Sequence, residues 1–237
     1  MMQTITRFSE VTVFDARTAW EQWNLTEYSF KSECLLSVSK SLNQIDATLS
    51  SVMVHHIQQA QTFIGEPKLM PGPTGETNEL YCAGRGVCAL IVTSLSEPKE
   101  DVQKAAIRLL TTALIAGNSV VICCDDEAFN HTLQQAFGDS LPAHLVQIVA
   151  YDSYAKLIES NISIAAVVVD LQTQIEMNRL LAQRTGAIVP LIVEDPQNIA
   201  LSFDPALVLR FITERTRTIN ITAVGGNATL LELGSEH

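Results

Sequence analysis

Basic charge is scarce in this chain of 237 residues: 15 lysines and arginines face 26 aspartates and glutamates, no basic run exists, and the formal net charge is −11. Such a surface repels phosphate backbones and anionic headgroups, so neither nucleic acid nor a membrane is expected as a partner. Long apolar runs are missing too. The longest, such as Ile164 to Val169, fall far short of bilayer-spanning length. No basic start followed by an apolar stretch and a small-residue cleavage site can be read at the N-terminus, so a cytoplasmic protein is expected.

Several chemistries lack their residue patterns. Five cysteines (Cys34, Cys82, Cys88, Cys123, Cys124) form no Cys-x-x-Cys pair, and the odd number suits reduced thiols. The adjacent His55 and His56 point to different faces of a helix, so zinc ligation has no support. There is no Gly-x-Ser-x-Gly elbow. Gly72 to Gly75 lacks the following Gly-Lys-Ser/Thr of a phosphate-cradling loop. Gly84-Arg85-Gly86-Val87-Cys88-Ala89 fits a dinucleotide fingerprint by letter, but it precedes a strand instead of following one, which makes it a plain turn. The acidic neighbours Asp125, Asp126 and Glu127 would raise the pKa of Cys123 and Cys124 and suppress their thiolates.

What is present is ample apolar material, 47% of residues against 17% charged, enough to build a real core. Residues 1 to 30 read as mixed, with an extended piece and two anchoring tryptophans, Trp20 and Trp23. From Ser32 to about Ile64 neither Pro nor Gly occurs, and Leu35, Val38, Leu42, Ile45, Leu49 and Val52 alternate spacings of three and four. That stripe predicts one long amphipathic helix packed on the domain; a coiled-coil seam would need more heptads and flanking charges. The Pro/Gly-dense stretch Met70 to Asn78 reads as a loop.

Beyond it the rhythm changes. Apolar runs at Val87–Val92, Val120–Ile122, Leu145–Val149, Ala165–Val169 and Ile188–Val193 alternate with helices at about Glu97–Ala116, Glu127–Phe137, Ser153–Glu159 and Gln174–Arg184. Ser96 is the expected cap of the first of these, and Gly117 its stop. The alternation predicts an α/β domain with a doubly wound, mostly parallel sheet. Phe211 to Leu233 then alternates apolar and polar residues around Gly225-Gly226-Asn227, which predicts a β-hairpin or flap. Arg210, Arg215 and Arg217 form a small basic cluster there. The expected division is a helical extension over 1–68, a linker loop over 69–86, a Rossmann-like domain over 87–210 and a docking tail over 211–237.

Ala113-Leu114-Ile115-Ala116-Gly117-Asn118-Ser119-Val120-Val121-Ile122, continued by Leu141 to Val149, is similar to the cofactor-domain core of the aldehyde dehydrogenase superfamily, where a helix ends in Ala-Gly-Asn and leads into a strand. Active members follow that strand with Lys-Pro-Ser-Glu, which helps hold the adenosine ribose. Here Cys123, Cys124, Asp125 and Asp126 stand instead. Tyr151-Asp152-Ser153-Tyr154-Ala155 replaces a glycine-rich turn, Val169-Asp170-Leu171-Gln172 replaces Phe-Thr-Gly-Ser, and the resemblance puts the catalytic glutamate position at Ile192. No cysteine follows Cys124 to serve as the nucleophile. The degenerate positions are thus Cys123, Asp126 and Ile192, with no cofactor expected.

Leu69 to Asn78 and the tail from Glu214 through Asn227-Ala228 resemble the C-terminal region of long forms of proline utilisation A, which join a proline dehydrogenase to a 1-pyrroline-5-carboxylate dehydrogenase. The matches cover roughly residues 35 to 234. In that family the region is similar to an aldehyde dehydrogenase domain without catalytic groups, packed over the dehydrogenase cavity. The resemblance implies an accessory role in proline catabolism, with Arg215, Arg217, Asn220, Gly225, Gly226 and Asn227 docking on such an enzyme or on a second copy. An NAD-dependent 1-pyrroline-5-carboxylate dehydrogenase and a small-ligand binding module are the alternatives.

Overall fold

The computed structural model describes residues 10–72, 76–93, 98–194 and 204–220. Helix α1 (Glu10–Trp23) opens this part of the chain, where an extended piece was expected. Trp23 is its anchor: the ring is 1% exposed and the indole N–H donates to the Leu114 carbonyl at 2.8 Å. Trp20 is only partly buried.

The expected long helix is two helices, α2 (Tyr28–Asn43) and α3 (Ala47–Ile64). Asp46 makes the break. Its backbone is extended, and its carboxylate accepts from the Thr48 and Leu49 amides at 2.8 and 3.0 Å, satisfying donors that open the second helix. The break lets α2 and α3 pack on each other. Leu35, Val38, Leu42 and Leu49 of the stripe are buried, but Ile45, at the break, is 40% exposed.

The Pro/Gly-rich stretch is not all loop. It contributes β1 (Lys68–Met70) and β2 (Glu76–Gly84), the latter paired antiparallel along nine residues with β8 (Ile212–Asn220) of the tail. The resulting three-stranded ribbon has the order β1-β2-β8. The tail's first partner is therefore the segment read as a linker, and Gly225, Gly226, Asn227 and the rest of the proposed hairpin lie outside the described residues.

The second sheet is the one that periodicity predicts. Strands β3 (Val87–Val92), β4 (Ser119–Cys124), β5 (Val146–Val149), β6 (Ile164–Val168) and β7 (Leu191–Glu194) run parallel in the order β5-β4-β3-β6-β7. Between them lie α4 (Lys99–Ile115), α5 (Glu127–Phe137), α6 (Tyr154–Glu159) with a preceding 3-10 turn, and α7 (Leu171–Ala182). Ser96 lies outside the described residues, and Pro98 sits at the cap of α4. Gly117 stops the helix as expected, at φ +94°. Each of β3, β4 and β6 is buried along its full length, because helices cover both faces of the sheet. One core packs Leu90, Ile122 and Ala166 against α2 to α5; the other packs Ile91, Val121 and Val167 against α1, α6 and α7. No helix among the described residues is long and apolar enough to cross a membrane.

Candidate functional site

In a doubly wound sheet, ligands bind outside the carboxyl ends of the strands where the strand order reverses. Here that point lies between β3 and β6, since β4 and β5 extend to one side of β3 and β6 and β7 to the other. The groups around it come from the ends of β4 and β6 and from the 3-10 turn after β5.

Cys123 and Cys124 end β4 and, as neighbours on a strand, enter opposite cores. Burial above all pushes both thiols up to about 12, with acidic neighbours adding to the rise. Buried Cys88 is raised in the same way, and Cys34 and Cys82, half-buried, are also raised. None of the five has the depressed pKa of an activated nucleophile. Tyr151 and Tyr154 stack at 5.5 Å, and Tyr151 is pushed up to about 12 by burial, then by Asp125, Tyr154, Cys123 and Asp170.

Asp126 is 8% exposed and caps α5, accepting from the Ala128 and Phe129 amides at 3.1 and 3.2 Å. Its second oxygen accepts from Gln103 at 3.1 Å, and Lys99 stands 4.0 Å away. Asp170 does the same for α7, accepting from the Thr173 amide and hydroxyl at 3.0 and 2.9 Å, bonds that hold its carboxyl below the ordinary range. Helix N-termini at this edge are where an anionic ligand would find free amides and a favourable dipole. Both are occupied by the chain's own carboxylates.

Ile192 lies within β7, 3% exposed, in the core on the α4 side. The acid that β7 presents at its carboxyl end is Glu194, two residues on, which sequence reading did not single out. It is buried and paired with Arg108, whose Nε donates to His56 at 3.2 Å. Burial, and the Arg108 charge after it, lower the His56 pKa to about 3, so this imidazole is neutral and can accept.

Asn118, the last residue of the Ala-Gly-Asn motif, is fully buried and spans three segments. Its amide nitrogen donates to Ala113 and Phe211, both at 3.0 Å, and its oxygen accepts from the Gly86 amide at 3.1 Å. The Gly84–Gly86 stretch is accordingly a turn joining β2 to β3, clamped by Asn118, and a Cβ on Gly84 would run into the Gly117 carbonyl.

The ribbon carries the tail residues. Arg217 is bound by Glu79 across the β2–β8 pair, with Nε at 3.0 Å, and its guanidinium sits 5.8 Å over the Tyr81 ring. Arg210 pairs with Asp204 at 3.2 Å. Arg215 is exposed and makes no ion pair among the described residues. Asn220 closes β8. Among the described residues no three His, Cys, Asp or Glu are placed to hold a metal ion.

The fold is a mixed α/β domain with a parallel five-stranded sheet, similar to those of solved aldehyde dehydrogenases. An NAD-dependent benzaldehyde dehydrogenase from Corynebacterium glutamicum matches 79% of this chain and 47% of its own, at a TM-score of 0.61 and 14% identity. The particular likeness is to proline utilisation A. A variant of the Bradyrhizobium japonicum protein matches 81% of this chain at a TM-score of 0.68 and 24% identity, over 22% of its own length. The bifunctional protein PutA of Salmonella typhimurium is 28% identical over 172 residues, 72% of this chain. The chain spans only 11% of that curated relative's length. No family model matches it. In sequence and fold the chain is thus similar to part of proline utilisation A.

Proposed function

We propose that this chain is a non-catalytic accessory domain of proline catabolism, acting in the cytoplasm by docking on a 1-pyrroline-5-carboxylate dehydrogenase and enclosing its active site or channel. The observation that carries the reading is the occupied sheet edge. Asp126 and Asp170 fill the N-termini of α5 and α7, where a dinucleotide's phosphates would need open amides, and Asp125 and Asp152 add like charge nearby. The residues present do not fit NAD. Raised thiols and a glutamate held by Arg108 supply neither the nucleophile nor the free base that aldehyde oxidation requires.

For docking, β8 is an edge strand of the ribbon among the described residues, and edge strands offer unpaired backbone groups for another chain to join. Removing the whole tail from 211 would take away Phe211, which is fully buried, and Ile212, so loss of binding by that variant would report unfolding. The informative truncation ends at Asn220 and keeps the ribbon. Full-length chain is expected to co-purify with the proline-oxidising enzyme and the truncated chain to lose it; equal recovery of both, and of an Ile219→Asp variant, refutes docking by the tail. Calorimetry with NAD is expected to show no binding. NADH formation from glutamate semialdehyde, abolished by one Cys→Ala change, would establish the enzymatic alternative instead.

A further inference from the structure

On the side of the molecule where the ribbon meets the helices, a cavity of about 290 Å³ opens between the α1–α2 turn, the end of α3, the end of α4 and the ribbon face carrying Tyr81, Arg215 and Arg217. That is roughly the volume of ten liquid waters. Three of the chain's 15 basic residues line it, in a protein of net charge −11. Lys31 lies at its inner wall and is 7% exposed; its ammonium has three donor protons, and the Thr26 carbonyl accepts one. Arg215 makes no ion pair among the described residues, whereas Arg217 is held by Glu79 above Tyr81.

We propose that this cavity binds a small organic carboxylate, gripped between the Lys31 ammonium and the Arg215 guanidinium and backed by the Tyr81 ring. A buried ammonium with donors to spare gains most from an acceptor carrying full charge, and a guanidinium with no acid among the described residues offers a planar pair of donors for the same group. Glu27 and Glu66 also face the cavity. They disfavour a multiply charged anion and leave room for an ammonium on the ligand. The site lies away from the strand-end crevice, so it holds whether or not the accessory reading does.

Burial lowers the Lys31 pKa to about 8, with Glu27 opposing the drop. A carboxylate beside it would raise that pKa again, so binding must take up protons near pH 8 and almost none at pH 6. The test is calorimetry of the full chain with 5-aminovalerate, a single carboxylate carrying a distant ammonium, at low ionic strength and in buffers of different ionisation enthalpy. Expected are millimolar or tighter binding, proton uptake at pH 8 only, and an affinity loss of about ten-fold or more in Arg215→Gln. That variant should unfold at the wild-type temperature, since Arg215 is exposed and makes no ion pair among the described residues. Absence of 5-aminovalerate heat at 20-fold excess over ~1 mM, equal affinity in Arg215→Gln, or binding without proton uptake at pH 8 overturns the proposal.

Discussion

Asn118 closes three hydrogen bonds in a place no water reaches, and its replacement by alanine strands the Gly86 amide and the Phe211 carbonyl. Each orphaned buried group costs about 1–3 kcal/mol, so Asn118→Ala should lose roughly 2–4 kcal/mol in denaturant unfolding. An unchanged midpoint would mean that the clamp is dispensable. His56 sets a pH dependence. Its folded pKa, about 3, lies below the ordinary 6.5, so the unfolded chain binds the proton first. Its stabilising contribution is present above pH 6.5 and is lost as pH falls from there toward 3. Between pH 7 and 5 the wild type should lose on the order of 1–2 kcal/mol more than His56→Gln. Parallel stability curves would place the imidazole outside the linkage.

At the scale of elements, Arg108 pins α3 and α4 to the end of β7 through His56 and Glu194. Taking one partner from a buried pair leaves an uncompensated charge, so Arg108→Met should cost about 3–5 kcal/mol, and most should return in Arg108→Met/Glu194→Leu. A double variant no more stable than the single one would show that Glu194 draws its support from other groups. The elements also show where sequence pattern served and where it did not. All five parallel strands were legible as apolar runs, β3, β4 and β6 most plainly, because a strand covered on both faces buries every position. The break at Asp46 was hidden because the apolar stripe continues in phase across it; only the capping bond distinguishes two helices from one. Strand β2 was hidden for the opposite reason. It is half-exposed and follows Pro and Gly, so its identity as a strand depends on β8, about 130 residues away in sequence.

For the whole molecule, the distribution of thiols offers a direct check. Cys88, Cys123 and Cys124 are buried, and Cys34 and Cys82 are half-buried with raised pKa values. A thiol reagent at pH 8 should therefore label at most two of the five cysteines in the native chain, slowly, and all five in denaturant. Rapid native labelling of Cys123 or Cys124 would contradict the packing of β4 and reopen the case for a reactive thiol. The same burial explains why the candidate site could be read only in part. The residues at the matching positions were visible from the sequence, and so was the scarcity of basic charge. That Asp126 and Asp170 cap helices with their carboxylates, that Glu194 is locked by Arg108, and that Arg217 is already engaged by Glu79 were not visible.

By itself, then, the sequence determined the parallel α/β sheet, the turn at Gly117 and the poverty of cationic groups, because periodicity, glycine geometry and charge are local or additive properties. Only the tertiary structure decided which carboxylates are spoken for, which arginine has no ion pair among the described residues, and that the tail first completes a sheet within its own chain. Those outcomes depend on which distant segments meet, and a hydrogen bond or ion pair between them leaves no periodic mark in either.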